Sequence, residues 1–416
     1  MQFRIFLLIL AGVMAPTGLL SAAEAVPVSA LSLPEVDRLV AERNRALVAA
    51  RRASEAGEAG VDAALARPNP TVSFNASGFN RPPSAGNRRI DNTLSVDQPF
   101  ERGGKRDLRY AVASSLLQAN RSDEADGLRQ QRLLARQAYF DLKAAEETVR
   151  IANESAAMAR QVLGKAQLRL KAGDISPAEV ARIQADTLKA ESDATQADIA
   201  RQRSRLALAQ LLALESAASR LATSEAWPSL SPLPQAVPEI EQRPDIQAAR
   251  QRVQAMESGV DLARSQQVRD LSVGVSLERS PDNLGRVVYG VGVSFPLFTG
   301  YDYRGEIRRA YVDRDSAGDE LERLRATAGA ELQQAAFEAE RLSARARSLR
   351  DEALPAARRA HAAVQLAFSH GAASALDVID ARRSLLAIET DTTNALADAA
   401  KARAAWAAAT NRPDLP

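Results

Sequence analysis

Only a few side chains in this sequence combine a reactive type with an informative position. The two histidines, His361 and His370, lie nine residues apart, which places them on different faces of one helix. The chain has no cysteine, so disulfides and thiolate metal sites are excluded. We therefore expect surface or tip-loop roles for both histidines. Without a nucleophile–base pair, phosphate loop or metal-ligand cluster, the sequence predicts neither an enzyme nor a cofactor.

Two carboxylates near the end of the chain share one helix face. Asp377 and Asp380 follow Gly371 by six and nine residues, and the i, i+3 spacing points both in the same direction. The same offsets after an earlier glycine carry Glu179 and Arg182. Acids in a first helical turn are also ordinary solvated charges, so a functional cluster and a plain helix start both fit this pattern.

The composition indicates long, closely packed helices. The chain has 416 residues, with 54 basic and 52 acidic side chains. Its formal net charge of +2 is too small to indicate nucleic-acid binding. Aromatic residues make up only 4%, whereas alanine is abundant. Small side chains with high helix propensity suit helices that approach each other closely.

The first 23 residues predict a secretory signal peptide. Arg4 precedes an apolar run from Ile5 to Leu20, and small residues follow, with cleavage expected after Ala23 or Ala25. A transmembrane anchor is the alternative interpretation. No cysteine stands where a lipid would attach, so we expect no N-terminal lipid anchor. Later apolar runs are too short for a membrane helix, so membrane entry would have to use strands.

Two pairs of segments alternate between apolar and small or polar residues, as half-buried strands do. The predicted strands cover residues 71–79, 92–100, 271–279 and 287–297. Each is about 9 to 10 residues long, the length that a tilted strand needs to cross a bilayer. Val291 and Val293 lie on the apolar face and are predicted to face lipid. A hairpin in a soluble sandwich would show the same alternation.

The second half of the chain repeats the first. Pro99 and Pro296 are 197 residues apart, as are Gly103 and Gly300, and Gly173 and Gly371 are 198 apart. We predict repeats at 24–226 and 245–416, joined by a linker at 227–244. The predicted helices cover residues 35–66, 104–170, 175–215, 245–268, 303–368 and 374–410. The fold class is thus a mixed α and β membrane protein with duplicated β-hairpins and long α-helical hairpins.

The strand count has a consequence for assembly. Four strands cannot close a barrel, and open sheet edges are not viable in lipid. A dimer would supply eight strands around a filled interior, whereas a trimer would supply 12 and leave room for a pore.

The repeat layout and two motifs resemble the TolC-type outer-membrane efflux channels. The first motif, Gln242-Arg243-Pro244-Asp245-Ile246, opens the second repeat, and the segment from Gly371 to Ala381 is similar to the family's helix-turn-helix tip. Two further segments resemble the CzcC-like heavy-metal branch: QPFERGGKR at 98–106 and YRGEIRRA at 303–310. Many members of that branch carry the N-terminal lipid that this sequence lacks.

This resemblance implies a homotrimer with a 12-stranded β-barrel in the outer membrane, continued by a periplasmic α-helical barrel. The implied partners are a periplasmic adaptor (membrane fusion protein) and an inner-membrane RND-type pump, which supplies the energy. Asp377 and Asp380 would form a ring of six carboxylates at the periplasmic gate, and such a ring favours cations. Glu179 and Arg182 would join this gate, with Arg182 paired to a carboxylate of a neighbouring hairpin.

The helix-to-helix turns are expected to meet the adaptor, through Gly173, Asp174, Gly371 and Ser374. The implied function is a passive exit duct for heavy-metal cations. Drug efflux or type I protein secretion by a TolC-type channel is one alternative. A periplasmic coiled-coil adaptor or scaffold is the alternative from another class, although it would have one helical hairpin flanked by split β-rich domains.

Overall fold

The helices and strands are described for residues 30–79, 90–234, 240–279 and 286–412 of a computed structural model. Within these ranges the order of helix, strand pair, long helix and returning helix occurs twice. The signal peptide predicted at 1–23 and the turns of both hairpins lie outside the described residues.

The four strands form one antiparallel sheet in the order β1-β2-β3-β4. Their bounds are β1 Thr71–Ser77, β2 Asp91–Phe100, β3 Leu271–Arg279 and β4 Val287–Ser294. The central β2–β3 pairing joins the hairpin of the first half to the hairpin of the second half. The sheet is thus a single unit built by both halves of the chain.

The register collects the apolar side chains of all four strands on one face. Val275 of β3 lies opposite Val96 of β2 and Val291 of β4, and Val96 lies opposite Val72 of β1. The next row is Phe74, Leu94, Leu277 and Tyr289. Because successive side chains alternate between faces, the other face receives mainly small and polar residues, with Val288 of β4 as an apolar exception.

That other face is closely packed and hydrogen-bonded. The hydroxyls of Ser73 and Ser95 lie 2.7 Å apart across β1 and β2. A Cβ on Gly274 would lie 2.1 Å from Asp97 Oδ1, so any larger residue at this position would require the Asp97 side chain to move.

Two strands end earlier than predicted. β1 ends at Ser77 rather than residue 79, because Gly78 adopts φ +85° and turns the chain. β4 ends at Ser294 rather than residue 297, close to Pro296, which has no N–H to donate to a ladder.

Eight α-helices account for most of the described chain. They are α1 Leu33–Arg43, α2 Arg45–Leu65, α3 Lys105–Ala172, α4 Pro177–Leu211, α5 Pro244–Ser265, α6 Arg304–Ser348, α7 Leu354–Ser369 and α8 Ala375–Ala409. The 68 residues of α3 give a rod of about 100 Å. None of the described helices has an apolar stretch long enough to cross a membrane.

The helix predicted at 35–66 is in fact two helices, broken at Asn44. The backbone of Asn44 is extended, with φ −62° and ψ 125°, and its side-chain oxygen accepts a hydrogen bond from Ala46 N–H at 2.9 Å. Its Nδ2 donates to Gln131 Oε1 and to Leu211 O, both at 3.0 Å. An N-cap that also bonds two other helices stabilises the break more than a continuous helix would.

The helix predicted at 303–368 is also interrupted. A π-helical turn at Leu349–Ala353 separates α6 from α7. Pro355 lies at the start of α7 and cannot donate the usual backbone hydrogen bond. The wider turn accommodates the proline without breaking the rod.

Close packing between the long helices depends on alanine, as the composition predicts. Buried alanines recur along α3, among them Ala135, Ala152, Ala156, Ala159 and Ala166. The largest apolar cluster surrounds Tyr139 of α3, whose hydroxyl donates to Leu31 O at 3.1 Å. The helices thus pair as α3 with α4, and as α6 and α7 with α8, while α8 also packs along α3.

An ion pair between a buried lysine and a half-exposed aspartate links the sheet to α3. Gly103 and Gly104 turn the chain with φ +74° and +70°, and a Cβ on Gly103 would lie 2.8 Å from Val268. Lys105 Nζ, which is buried, then donates to Asp270 Oδ1 at 2.8 Å. Asp270 directly precedes β3. The start of the first long helix is therefore attached to the second hairpin.

Candidate functional site

Each helical hairpin turns at a glycine in the left-handed conformation. Gly173 has φ +85° and Gly371 has φ +76°. After Gly173, Asp174 N–H donates to Arg169 O at 2.9 Å, and after Gly371, Ala372 N–H donates to Ala367 O at 2.8 Å. Both glycines therefore close helices with the backbone pattern that requires positive φ.

The two tips lie side by side. Residues of both hairpins share one apolar cluster, in which Val180 and Ile183 of α4 contact Ala375 and Ile379 of α8. The Arg169 guanidinium also lies 6.0 Å from the centre of the Phe368 ring. The residues predicted to dock an adaptor thus occupy one end of the protein, where Gly173, Asp174, Gly371 and Ser374 are exposed.

Asp377 closes the first turn of α8 with its carboxylate. Asp377 Oδ2 accepts from Ser374 N–H at 2.9 Å and from the Ser374 hydroxyl at 2.8 Å, and Ser374 Oγ accepts from Asp377 N–H at 3.2 Å. These bonds, first the one from the Ser374 backbone, hold the pKa of Asp377 below its ordinary value. The ionised form is therefore favoured, and this cap is lost only as pH falls through that lowered pKa.

The other predicted gate residues are held differently. Asp380 is exposed and lies 3.8 Å from Arg383 one turn later on α8. Glu179 is half-buried, and its backbone N–H donates to the N-cap Ser176 at 3.2 Å. Arg182 is exposed, and no ion pair within the described part of the chain involves it.

An ion pair that the sequence analysis missed joins the two hairpins just above the tips. Arg382 of α8 donates to Asp186 of α4 and to Ser155 O and Oγ of α3, the latter two at 2.9 Å. Arg383 Nη2 also donates to Asp186 at 2.8 Å. Asp186 and Arg382 are both more than 90% buried. Asp186 follows Gly173, and Arg382 follows Gly371, at similar distances along the sequence. This spacing could have indicated from the sequence that the two side chains meet.

The expectation for the histidines is wrong for one of them. His370 is exposed at the second tip, whereas His361 is buried and lines a cleft with residues of α3 and α8. The helix that carries His361, α7, packs against α8. Among the described residues, no group of three or more acids and histidines is arranged to hold a metal ion.

The apolar face of the sheet is not covered by other parts of the described chain. Val291 and Val293 are 81% and 59% exposed, and Tyr289 on the same face of β4 is 79% exposed. A contiguous apolar surface of this kind marks a place where a membrane or partner covers the protein.

Removing the shared carboxylate should loosen the two tips. Asp186→Ala leaves Arg382 buried without its counter-charge, and we expect a loss of about 3 to 5 kcal/mol. The measurement is thermal stability together with the rate of trypsin cleavage beside Gly173. The matched control is Asp193→Ala, also on α4, whose exposed pair with Lys189 contributes about 0.5 kcal/mol or less. Equal behaviour of the two variants would contradict a joining role for Asp186.

Comparison with known proteins agrees with this architecture. The outer membrane efflux protein family matches residues 38–214 and 238–412. The chain is 28% identical to the cobalt-zinc-cadmium resistance protein CzcC of Cupriavidus metallidurans, over 85% of this chain and 84% of CzcC. It is also 28% identical to the nickel-cobalt-cadmium resistance protein NccC of Alcaligenes xylosoxydans xylosoxydans, over 68% of this chain and 63% of NccC.

The fold is shared with solved outer-membrane channels. The structure of the Campylobacter jejuni CmeC outer membrane channel matches with a TM-score of 0.79 at 18% identity, covering 92% of this chain and 86% of CmeC. The family match spans both halves of the chain, and the strand pairs and long helices agree with the fold. This protein therefore belongs to the outer membrane efflux protein family.

Proposed function

We propose that this protein is the outer-membrane exit channel of a tripartite system that exports heavy-metal cations. The observation that carries the proposal is the four-stranded sheet, with one continuous apolar face and two unpaired edges, attached to helices of about 100 Å. A sheet of this form needs further strands and a membrane around it.

A homotrimer satisfies both needs. Three copies would place β4 of one chain beside β1 of the next and close a 12-stranded barrel in outer-membrane lipid. The apolar face of the sheet, which includes Val291 and Val293, would then face the lipid. The opposite face, which carries the serines and glycines, would face the interior. The helices would continue as a periplasmic tunnel. The two segments that match the family, 38–214 and 238–412, support two repeats at 24–226 and 245–416. The second segment begins inside the proposed linker at 227–244.

The proposed partners follow from the position of the tips. A periplasmic adaptor would dock at the adjacent turns around Gly173, Asp174, Gly371 and Ser374, and an RND-type inner-membrane pump would supply the energy. Asp377 and Asp380 would contribute six carboxylates to the tunnel mouth, with Glu179 and Arg182 beside them. The channel itself would perform no catalysis and hold no cofactor.

The proposal that the cargo is a heavy-metal cation is based on the similarity to CzcC and NccC. CzcC is a cobalt-zinc-cadmium resistance protein, and NccC is a nickel-cobalt-cadmium resistance protein. A mouth lined with carboxylates suits such ions, since it attracts cations and repels anions. Drug efflux or type I secretion through the same architecture is the second candidate, because the channel fold does not by itself select the cargo.

The cargo can be tested in a deletion strain. We expect loss of the protein to raise sensitivity to zinc, cobalt, cadmium, nickel or copper, because the ions can no longer leave the cell. Tolerance of a panel of dyes and antibiotics should not change. The wild-type gene on a plasmid is the control for complementation. Sensitivity to organic compounds alone would support a drug channel instead.

A charged residue on the apolar face of the sheet should reduce assembly of the protein in the membrane. Arg at the bilayer midplane of a lipid-facing strand costs about 2 to 4 kcal/mol, so Val291→Arg and Val293→Arg should reduce the amount of heat-resistant trimer in outer-membrane fractions. The control is Val288→Arg on the opposite face of β4, where Glu278 lies across the ladder. Equal assembly of all three variants would contradict a lipid-facing role.

The gate can be tested without removing the helix cap. Asn keeps an oxygen that can accept from Ser374, so Asp377→Asn with Asp380→Asn removes charge while retaining the cap. We expect weaker block by divalent cations and higher conductance in planar bilayers. Ser374→Ala, which removes the two hydrogen bonds of the serine hydroxyl and keeps both charges, is the control. Unchanged block in the double variant would exclude a carboxylate gate.

A further inference from the structure

A cleft between the linker and the second helical hairpin contains an unusual buried cation. The cleft measures about 270 Å³ and is bounded by residues 231–233, α6 and α8. Arg403 of α8 lines it and is only 6% exposed. Its Nη1 donates to Ser231 O at 2.8 Å, whereas its buried Nε has no hydrogen-bond partner.

Arg403 also lacks a counter-charge. Among the described residues, no carboxylate lies within ion-pair distance of its guanidinium, and burial alone lowers the pKa of Arg403. Burying a charge without a partner carries a large free-energy cost. A buried guanidinium without a counter-charge in a native fold indicates that a further binding partner supplies the missing hydrogen bonds.

The other buried cations of the described chain show what such a partner looks like. Arg382 pairs with Asp186, Arg243 with Asp245 and Glu331, and Lys105 with Asp270. A further one, Lys143, donates to the backbone oxygen of Glu225 and lies 5.1 Å from the Trp227 ring centre. Of the three buried arginines in the described chain, Arg403 is thus the one without a carboxylate partner.

A second unpaired buried group lines the same cleft. Ser343 of α6 is 3% exposed, and its hydroxyl has no hydrogen-bond partner. Two more arginines, Arg341 and Arg347, stand at the exposed rim with one acid, Glu340. The lining therefore offers unused donors at its buried side and a net positive charge at its entrance.

We propose that this cleft binds a small oxyanion, held by the Arg403 guanidinium and the Ser343 hydroxyl. An oxyanion is the matching ligand because guanidinium N–H groups form charge-assisted hydrogen bonds with phosphate, sulfate and carboxylate oxygens. The cleft has room for a tetrahedral anion with some of its water. The bound anion would tie the linker at Ser231 to α6 and α8, and this site is separate from the tips and the sheet.

Binding can be measured on the full-length protein in dodecyl maltoside, in Tris-chloride buffer free of other oxyanions. Sodium phosphate, sodium sulfate and sodium acetate serve as separate calorimetric probes. We expect saturable binding of at least one probe with one site per chain. Comparison of the three affinities shows which class of oxyanion the cleft prefers. That probe should also raise Tm, because a ligand that binds only the folded state stabilises it.

Substitutions then assign the site. Arg403→Met should weaken binding at least tenfold and abolish the ligand-dependent rise in Tm, while its own Tm without ligand should equal or exceed that of the wild type. Ser343→Ala should weaken binding about three- to tenfold, and Glu340→Gln should strengthen it. Arg345→Gln is the matched control, because Arg345 is an exposed arginine of α6 outside the cleft.

Two results would overturn the proposal. One is the absence of saturable binding by all three probes. The other is binding that Arg403→Met leaves intact.

Discussion

The hydrogen-bonded pairing of β2 with β3 is the constraint on which the rest of this structure depends. It joins the two halves of the chain into one sheet and brings the apolar residues of four strands onto one face. A slip of one residue would turn one hairpin's apolar side chains to the opposite face. The same pairing puts Asp270 beside Lys105, so that the first long helix starts from a fixed point on the sheet rim.

The long helices transmit this geometry to the far end. Buried alanines allow the axes to approach closely, and the large side chains are concentrated around Tyr139 at mid-length. Near the tips, where the apolar cluster is small, Asp186 supplies a charged connection between the hairpins instead. A buried ion pair adds little net stability but penalises its own rupture strongly. It therefore suits a place where two hairpins must remain together or separate as a distinct step.

The carboxylates at the tip serve the fold as well as any transport role. Asp377 is half of a capping box, so its ionised state is favoured by the helix that it starts. Asp380 has no such bonds and faces Arg383 only at 3.8 Å. The two acids that the sequence pairs by spacing are thus unequal. A charge that also caps a helix stays in place, whereas Asp380 is free to respond to ions or to a partner.

How far the sequence predicts this protein depends on the range of the interactions. Alternation at Val72, Val275 and Val291, turns at Gly173 and Gly371, and the repeat spacing are local or periodic signals, and they predicted strands, helices and order. The breaks at Asn44 and Pro355 carried local signals too, but Asn44 breaks the helix because Gln131 and Leu211 bond it from other helices.

What only the tertiary structure decided are the contacts between distant segments. The Asp186–Arg382 pair and the burial of His361 depend on how α8 lies against α3, α4 and α7. The position of Arg403, which has no carboxylate partner among the described residues, depends on how α8 lies against α6 and the linker. Sequence periodicity fixes which face of a helix is apolar, but not the axial offset between two alanine-rich helices. That offset is set by summed packing over many similar small side chains, and it determines which charges meet.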